Sequence, residues 1–225
     1  MGEKPRALLA WSSGKDSAFT LHEVQRGGDV EIVGLFTTVT KNFDRVAMHA
    51  TRRAVLDAQA KAAGLPLHVL EIPYPCPNAE YEAAMVRFNA QVRDEGITHL
   101  VFGDLFLEDI RRYRETNLAG TGLTPVFPLW GRPTDALAHA IIAAGFEAYL
   151  VCVDPKQLDP GFVGRRFDAA FLRDLPPGAD PCGENGEFHT CVVNGPIFAE
   201  PIPVRPGEIV TRDGFVFADL VPAPV

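Results

Sequence analysis

Short apolar runs and amphipathic segments alternate along the first half of the chain. The strand-like runs are residues 7–11, 31–40, 67–72 and 98–105, and the helix-like segments are residues 18–24, 49–63 and 78–95. In the segment 78–95, large apolar residues recur every three or four positions, the spacing of one helix face. Strands separated by helices of this length connect through right-handed crossovers. The pattern therefore predicts an α/β fold with a parallel sheet.

The second half of the chain has a different pattern, and the change begins at residues 125–133. This segment, PVFPLWGRP, has a density of proline and glycine that interrupts regular structure. We therefore predict two domains, residues 1–124 and 125–225. The second half is predicted to hold a helix at 134–144, a strand at 147–153 and, near the proline-rich end, a turn at Asp213-Gly214 between two β-like runs.

Composition and charge narrow the class of protein. The chain has 225 residues, is 47% hydrophobic and carries a net charge of −8, which argues against a general nucleic-acid or anionic-membrane surface. No apolar run approaches the length of a membrane span, and the start does not resemble a signal peptide. The four cysteines form no C-x-x-C pair, so we expect reduced thiols and a cytoplasmic location.

A candidate phosphate-binding turn follows the first apolar run. The residues Ser12-Ser13-Gly14-Lys15-Asp16-Ser17 join a predicted strand to a predicted helix. Such a turn directs backbone N–H groups and the positive end of a helix at one point, and the lysine adds a cation. The turn lacks the glycine spacing of a Walker loop. The alternative is an ordinary strand-to-helix turn with an Asp or Ser cap.

A second polar constellation occupies residues 182–190, with the sequence CGENGEFHT. It brings a thiol, two carboxylates, an amide and an imidazole into nine residues around two glycines. Such a loop can direct several polar groups inward, although a solvated polar loop is the alternative. A zinc site is disfavoured because a fourth ligand at finger-like spacing is missing.

These two stretches resemble one known family. The turn is similar to the SGGxDS pyrophosphate loop of the ATP pyrophosphatases (PP-loop enzymes), and CGENGEFHT resembles a hallmark of the diphthine–ammonia ligase family. The further matches, in the family's order, are His49, Gly103-Asp104, Tyr113-Arg114-Glu115 and Pro128-Leu129-Trp130. The resemblance covers most of residues 7–190. One departure is Ser13, which replaces a glycine; because serine disfavours positive φ, we expect a slightly different loop conformation or phosphate approach.

The resemblance implies a fold and a reaction. The expected fold is an adenine nucleotide α-hydrolase-like (HUP/Rossmann-like) domain that binds ATP, residues 1–124, and a smaller α+β domain that binds the substrate, residues 125–225. The reaction consumes ATP, a carboxylic acid and ammonia, and yields an amide, AMP and pyrophosphate. The acceptor would be diphthine on elongation factor 2 or the carboxylate of a small metabolite.

The resemblance also implies roles for the nucleotide-binding residues. Ser12, Ser13, Gly14, Lys15, Asp16 and Ser17 would hold the pyrophosphate end of ATP, with Lys15 neutralising charge as pyrophosphate departs. Adenine would lie near Leu35, Phe36 and Thr37, and His49, Gly103 and Asp104 complete the expected cofactor-binding set. Asp16 and Asp104 are the expected ligands of Mg²⁺, an ion that favours oxygen ligands and phosphates. The alternatives are that Asp104 caps the next helix and that His49 is a structural contact at a helix start.

The acceptor side is implied in the same way. Arg114 would contact the acceptor carboxylate or the phosphates, unless it belongs to a solvated helix face. Glu184, Asn185, Glu187 and His189 would bind the acceptor and ammonia. Glu187 or His189 would remove a proton from the attacking nitrogen. The expected catalytic residues are thus Lys15, Asp16, Glu187 and His189.

Two other functions remain open at this stage. One is a tRNA-modifying PP-loop enzyme, which the net charge of −8 and the absence of a cysteine pair near the loop disfavour. The other is a non-catalytic nucleotide-binding module. The proline-rich, apolar end of the chain also suggests a homodimer.

Overall fold

The first half of the chain forms a mostly parallel sheet. The computed structural model describes residues 3–40, 45–46 and 51–223. The six strands found there are β1 (Arg6–Ala10), β2 (Glu31–Thr40), β3 (Arg45–Val46), β4 (Leu67–Ile72), β5 (His99–Val101) and β6 (Thr124–Val126). They follow the order β3-β2-β1-β5-β6, with β4 also paired to β2. All of these pairs are parallel except β2 with β3, so the predicted parallel α/β sheet is confirmed.

Four helices connect these strands: α1 (Lys15–Gly27), α2 (Arg53–Ala62), α3 (Asn78–Asp94) and α4 (Glu108–Leu118). Helix α1 buries Phe19, Leu21 and Val24 in the apolar core that also contains Leu9 of the sheet. Gly28 caps the C-terminus of helix α1; it has φ +77°, and its N–H donates to the carbonyl of Val24. The helix predicted at 49–63 is shorter, since the described part starts after Arg52, and residues 47–50 lie outside the described residues.

The second half of the chain forms a separate antiparallel sheet. Its strands are β7 (Glu147–Val153), β8 (Phe188–Asn194), β9 (Val204–Arg212) and β10 (Phe215–Pro222), and its helices are α5 (Thr134–Ala143) and α6 (Ala169–Asp174). The strand order is β8-β7-β10-β9. As predicted, Asp213 and Gly214 make the turn between the last two strands, both with positive φ.

Two local expectations differ from the structure. The proline-rich segment 125–133 was expected to interrupt regular structure, but its first residues complete β6, because Phe102 donates its N–H to the Val126 carbonyl. Residues 188–190, in a stretch expected to be a loop, begin β8. The predicted domain division after residue 124 falls within β6 and stays a prediction.

A continuous apolar core joins the two sheets. Leu9, Trp11 and Leu35 of the first sheet belong to the same buried cluster as Phe171 and Phe188 of the second half. A second cluster covers the opposite face of the parallel sheet. Strand β8 therefore lies against the carboxyl end of β1, the edge where open α/β sheets bind ligands. Over the described part of the chain, no helix has the length and apolar character needed to span a membrane.

Candidate functional site

The turn between β1 and α1 lies beside a cavity, and the N-terminus of α1 faces this cavity. Gly14 is the N-cap of α1, and its N–H donates to the Ser12 hydroxyl oxygen at 3.3 Å. Ser17 donates its hydroxyl to the Gly14 carbonyl at 3.0 Å, and its Oγ lies 3.2 Å from Ser12 Oγ. Two hydroxyls thus lie beside a helix N-terminus, an arrangement that favours an anion.

Ser13 takes a backbone conformation that glycine would adopt more easily. Its φ is +68°, and it is fully buried. The Ser13 hydroxyl donates to Thr51 Oγ1 at 2.7 Å, and its carbonyl accepts from the Val192 N–H at 2.9 Å. Ser13 thus keeps the positive φ that serine disfavours. The hydrogen bonds of its hydroxyl and its carbonyl hold the residue in this conformation.

A buried glutamine connects the turn to β8. Gln59 of α2 accepts a hydrogen bond from the Trp11 indole N–H at 3.0 Å. Its amide nitrogen donates to the carbonyls of Val192 at 2.7 Å and Ser13 at 3.2 Å. No role was predicted for Gln59, although it lies four residues after the apolar Val55, the spacing of one helix face.

The Lys15 side chain points from the turn to the second motif. Its ammonium donates to Asp16 Oδ2 at 2.9 Å and to the carbonyl of Cys182. It also lies 5.4 Å and 5.3 Å from the ring centres of Phe167 and Phe188. Burial opposes the charged form, but the charge and hydrogen bond of Asp16, together with the nearby Glu184, outweigh it, and the pKa of Lys15 is raised.

Asp16 lies beside the Lys15 ammonium, and only one of its two carboxylate oxygens accepts a hydrogen bond from that group. Its Oδ1 is buried and finds no hydrogen-bond partner among the residues that the structure describes. Burial raises the pKa of Asp16, although Lys15 acts against that shift. Gly103, at the end of β5, lies so close that a Cβ there would meet the Asp16 backbone at 3.2 Å and Thr20 Oγ1 at 3.0 Å. The close approach brings Asp104 to the same cavity.

Arg114 is directed to the cavity by an ion pair and by aromatic rings. Its guanidinium donates to both oxygens of Asp104, at 2.5 Å and 2.9 Å, and lies 4.4 Å from the Phe102 ring centre. Phe102 stacks on Phe127, which in turn contacts Trp130. Arg114 is therefore not on a solvated helix face. The N-cap of α4 is Leu107, and Asp104 pairs with Arg114 instead of capping this helix.

The two glutamates of the second motif have different surroundings. Glu184 lines the cavity, and its Oε1 accepts from the Leu105 N–H at 2.8 Å. Burial raises the pKa of Glu184 to about 7. Glu187 is buried away from the cavity lining, where its Oε1 accepts from the Asp180 N–H at 2.8 Å and from Asn185 Nδ2 at 3.2 Å. The exposed Asn185 thus joins the loop to the buried Glu187 by a hydrogen bond.

His189 also reaches the cavity, from the start of β8. Burial lowers the pKa of His189 to about 4, and the positive charge of Lys15 acts in the same direction. The imidazole is therefore neutral at pH 7, the form in which one ring nitrogen accepts a proton.

The cavity has a volume of about 460 Å³ and gathers most of the predicted site residues. Those lining it are Ser12, Lys15, Asp16, Ser17, Phe36, Thr37, Gly103, Asp104, Arg114, Glu184 and His189. The lining does not include Ser13, Gly14, Leu35, Asn185 and Glu187. His49 lies outside the described residues.

Several lining residues were not predicted, and three of them carry hydroxyl groups: Thr38, Tyr81 and Thr190. Thr190 belongs to the second motif, and its hydroxyl oxygen accepts from the Lys15 N–H at 3.1 Å. Tyr81 is one of the periodic residues of α3, so its spacing indicated a buried helix face and gave no sign of a cavity. Burial raises the pKa of Tyr81, which keeps the phenol neutral.

The cavity can hold a divalent cation only with help from a ligand. Among residues 3–40, 45–46 and 51–223, no cluster of three or more His, Cys, Asp or Glu side chains is arranged to bind a metal. Mg²⁺ is commonly held by one or two carboxylates together with substrate phosphates and water. The unpartnered Oδ1 of Asp16 fits that use, whereas both oxygens of Asp104 accept from Arg114.

Comparisons with known proteins show which family this chain resembles. The family model described as the diphthamide synthase N-terminal domain matches residues 5–123, and that described as the diphthamide synthase C-terminal domain matches residues 133–218. The diphthine–ammonia ligase of Bos taurus is 26% identical over 236 residues, which cover 95% of this chain and 88% of the relative. The Homo sapiens protein of the same name is 25% identical with the same coverage.

A further relative and a solved structure complete the comparison. The diphthine–ammonia ligase of Danio rerio is 26% identical over 228 residues, covering 92% of this chain and 89% of the relative. Among solved structures, U34-tRNA thiolase NcsA from Methanococcus maripaludis aligns with a TM-score of 0.37 and 14% identity, covering 63% of this chain and 58% of that one. Because the two family models together span both sheets and both motifs, the chain belongs to the diphthamide synthase family of PP-loop proteins.

Proposed function

We propose that the protein is an ATP-dependent ligase that adenylates a carboxylate and joins ammonia to it, releasing AMP and pyrophosphate. By family membership, the proposed acceptor is diphthine on elongation factor 2, with a small-metabolite carboxylate as the alternative. One observation carries the proposal: the turn after β1 and the motif 182–190, which are distant in sequence, line one cavity.

The proposed chemistry explains why two motifs are needed. A carboxylate is a poor electrophile because its charge and resonance oppose attack by ammonia. Adenylation removes that charge and supplies AMP as a leaving group. The protein then contributes chiefly by positioning the reactants and by stabilising charge, so the nucleotide site must face the acceptor site.

We propose that adenine lies at a gap beside β2. Strand β1 pairs with β2 as far as Phe36, and β3 begins to pair with β2 at Val39. On the other side, β4 pairs with β2 continuously. The backbone at Thr37 and Thr38 therefore faces an opening between two strand ends, which supports backbone recognition of a base. The triphosphate would run from this gap to the N-terminus of α1, beside Ser12 and Ser17.

Mg²⁺ is proposed to accompany ATP. Asp16 would hold it through Oδ1, with Asp104 joining if Arg114 turns to an anionic group of a bound reactant. When bound, the ion would neutralise charge on the phosphates.

The acceptor is proposed to enter between Arg114 and the second motif. Arg114 offers a planar donor set that suits a carboxylate or a phosphate. His189, neutral at pH 7 and in the cavity, is proposed to take a proton from the attacking nitrogen. Glu184 would bind the incoming ammonia or acceptor, whereas Glu187 and Asn185 would hold the loop that carries both residues.

A product assay tests the proposal. The protein is incubated with ATP, Mg²⁺, an ammonium salt and elongation factor 2 carrying diphthine, and the nucleotides are separated by chromatography. We expect AMP and pyrophosphate in equal amounts, together with amide on the acceptor. Arg114→Ala should reduce turnover about 100-fold, whereas exposed Lys156→Met should have no effect. Release of ADP and phosphate would contradict the mechanism, and nucleotide binding without turnover on any carboxylate would favour a binding module.

We also propose that the protein forms a homodimer through the exposed edge strand β9. Ile209 and Val210 on this strand are 63% and 44% exposed. Light scattering after size exclusion would give twice the chain mass if the proposal holds.

A further inference from the structure

We propose that Lys15 is a positioning residue whose main task is to hold the segment 182–190 in place for the acceptor, and that it does not bind the departing pyrophosphate directly. The inference rests on the proposed ligase function and assigns the lysine to a different step of it. It follows from where the two donor groups of Lys15 point.

Lys15 contacts both ends of the nine-residue segment. Its ammonium donates to the carbonyl of Cys182, the first residue of the segment. Its backbone N–H donates to Thr190 Oγ1, in the last residue, at 3.1 Å. One residue of the turn therefore fixes where this segment begins and where it ends.

The ammonium itself is enclosed on the side of the second motif. The side chain is 2% exposed, and the nitrogen lies 5.3 Å from the ring centre of Phe188, which belongs to the same segment. Phe167 contributes a second ring at 5.4 Å. A cation taken this far from water needs partners, and three of its four described neighbours lie in the second half of the chain.

Two cavity residues depend on this arrangement. Glu184 and His189 lie between the anchored ends and both line the cavity. Glu184 has a further tie to the first half of the chain through the Leu105 N–H, at 2.8 Å. His189 follows Phe188, whose ring packs against the ammonium. Loss of the ammonium would therefore displace the acceptor side of the cavity, while Ser12, Ser17 and the α1 N-terminus stay in place to bind phosphate.

The test separates nucleotide binding from acceptor binding. Lys15→Met removes the charge and both side-chain hydrogen bonds, Lys15→Gln keeps donors without charge, and exposed Lys156→Met is the matched control. Calorimetry measures the Kd for Mg-ATP, and steady-state kinetics measures KM for elongation factor 2 carrying diphthine. We expect Lys15→Met to change the Kd less than about threefold and to raise KM more than about tenfold, with Lys15→Gln between Lys15→Met and the wild type.

A labelling experiment without substrate gives an independent readout. The ligand-free protein is treated with iodoacetamide, and each cysteine peptide is followed by mass spectrometry. Cys182 is 2% exposed, so release of its carbonyl should expose its thiol. We expect labelling of Cys182 to accelerate about tenfold in Lys15→Met, while the core Cys191 stays protected in the same sample and thereby shows that the variant is folded.

Several outcomes would overturn the inference. A Kd for ATP or pyrophosphate that rises tenfold with an unchanged acceptor KM would assign Lys15 to the phosphates. Equal increases in the Kd for ATP in Lys15→Gln and Lys15→Met would do the same, because the positive charge itself would then bind the nucleotide. Unchanged Cys182 labelling would show that the segment does not depend on Lys15. If the wild type makes no AMP at all, the ligase proposal fails, whereas the labelling result still decides the role of Lys15.

Discussion

The left-handed conformation of Ser13 shows how a single residue can carry strain at a binding turn. A non-glycine residue at φ +68° costs about 1–2 kcal/mol relative to ordinary backbone conformations. Here the hydroxyl bond to Thr51 and the carbonyl bond from Val192 offset that cost. The turn thus depends on residues of two other elements to keep its shape.

Substitutions at Ser13 separate the strain from the hydrogen bond. Ser13→Ala loses the bond to Thr51 and keeps the strain, whereas Ser13→Gly loses the bond and relieves the strain. We expect Ser13→Ala to be less stable than Ser13→Gly by about 1 kcal/mol in urea unfolding. Equal stability of the two variants would mean that the loop relaxes away from the left-handed conformation.

The half-buried imidazole of His189 makes stability depend on pH. In the unfolded chain a histidine binds a proton near pH 6.5, but the pKa of His189 in the folded protein is about 4. Between these values the unfolded state binds more protons, so acidification destabilises the fold. We expect wild type to lose about 2–3 kcal/mol relative to His189→Asn when urea unfolding is repeated at pH 4.5 instead of pH 7. The exposed His139→Asn serves as the matched control.

At the scale of elements, Gln59 is the point where three segments meet. It joins the end of β1 through Trp11, the turn through Ser13 and strand β8 through Val192, and it is fully buried. Its network holds the turn against β8 at a fixed distance. A polar residue at this position is stable because each side-chain polar atom has a partner.

Removing the Gln59 amide should therefore affect both stability and nucleotide binding. Gln59→Leu leaves the Trp11 N–H and the carbonyls of Ser13 and Val192 buried with fewer partners. We expect a loss of about 3 kcal/mol in free energy of unfolding and weaker binding of ATP. Gln91→Leu, at an exposed glutamine of α3, should change stability by less than about 0.5 kcal/mol. A similar small change at Gln59 would show that the network does not stabilise the turn.

For the whole molecule, an ion cluster connects the C-terminal strand to the first half of the chain. Asp219 of β10 accepts from Arg45 at 2.9 Å and from both nitrogens of the Arg52 fork. Burial alone would raise the pKa of Asp219, but the hydrogen bonds from Arg52 and Arg45 outweigh it and lower the pKa. Arg52 precedes α2 and follows Thr51, so the cluster also lies next to the partner of Ser13.

Breaking this cluster should loosen the contact between the two halves. We expect Asp219→Asn to destabilise the protein by about 1–2 kcal/mol at pH 7. The effect is smaller than for a fully buried ion pair, because water around the partly exposed arginines screens the charges. Because the carboxylate has a lowered pKa, its contribution is complete above the unfolded pKa near 4 and is lost as pH falls further. Asp57→Asn, in an exposed pair with Arg53, is the control and should change stability by less than about 0.5 kcal/mol. Equal effects of the two substitutions would contradict the role of the cluster.

The sequence by itself determined the parallel sheet, the position of the binding turn after β1 and the identity of both motifs. These features follow from local patterns: apolar periodicity sets strands and helices, and a strand followed by small polar residues sets a turn. Strands β6 and β8 escaped prediction, because prolines and motif residues in these segments gave no strand-like alternation.

Only the tertiary structure decided which polar side chains share the cavity. Glu184 and Glu187 are three residues apart in one loop, yet Glu184 lines the cavity and Glu187 holds the loop from behind. Likewise, the Lys15 ammonium lies against the Cys182 carbonyl, 167 residues away in sequence. Contacts between such distant residues depend on how the two sheets pack, and no local pattern encodes that packing.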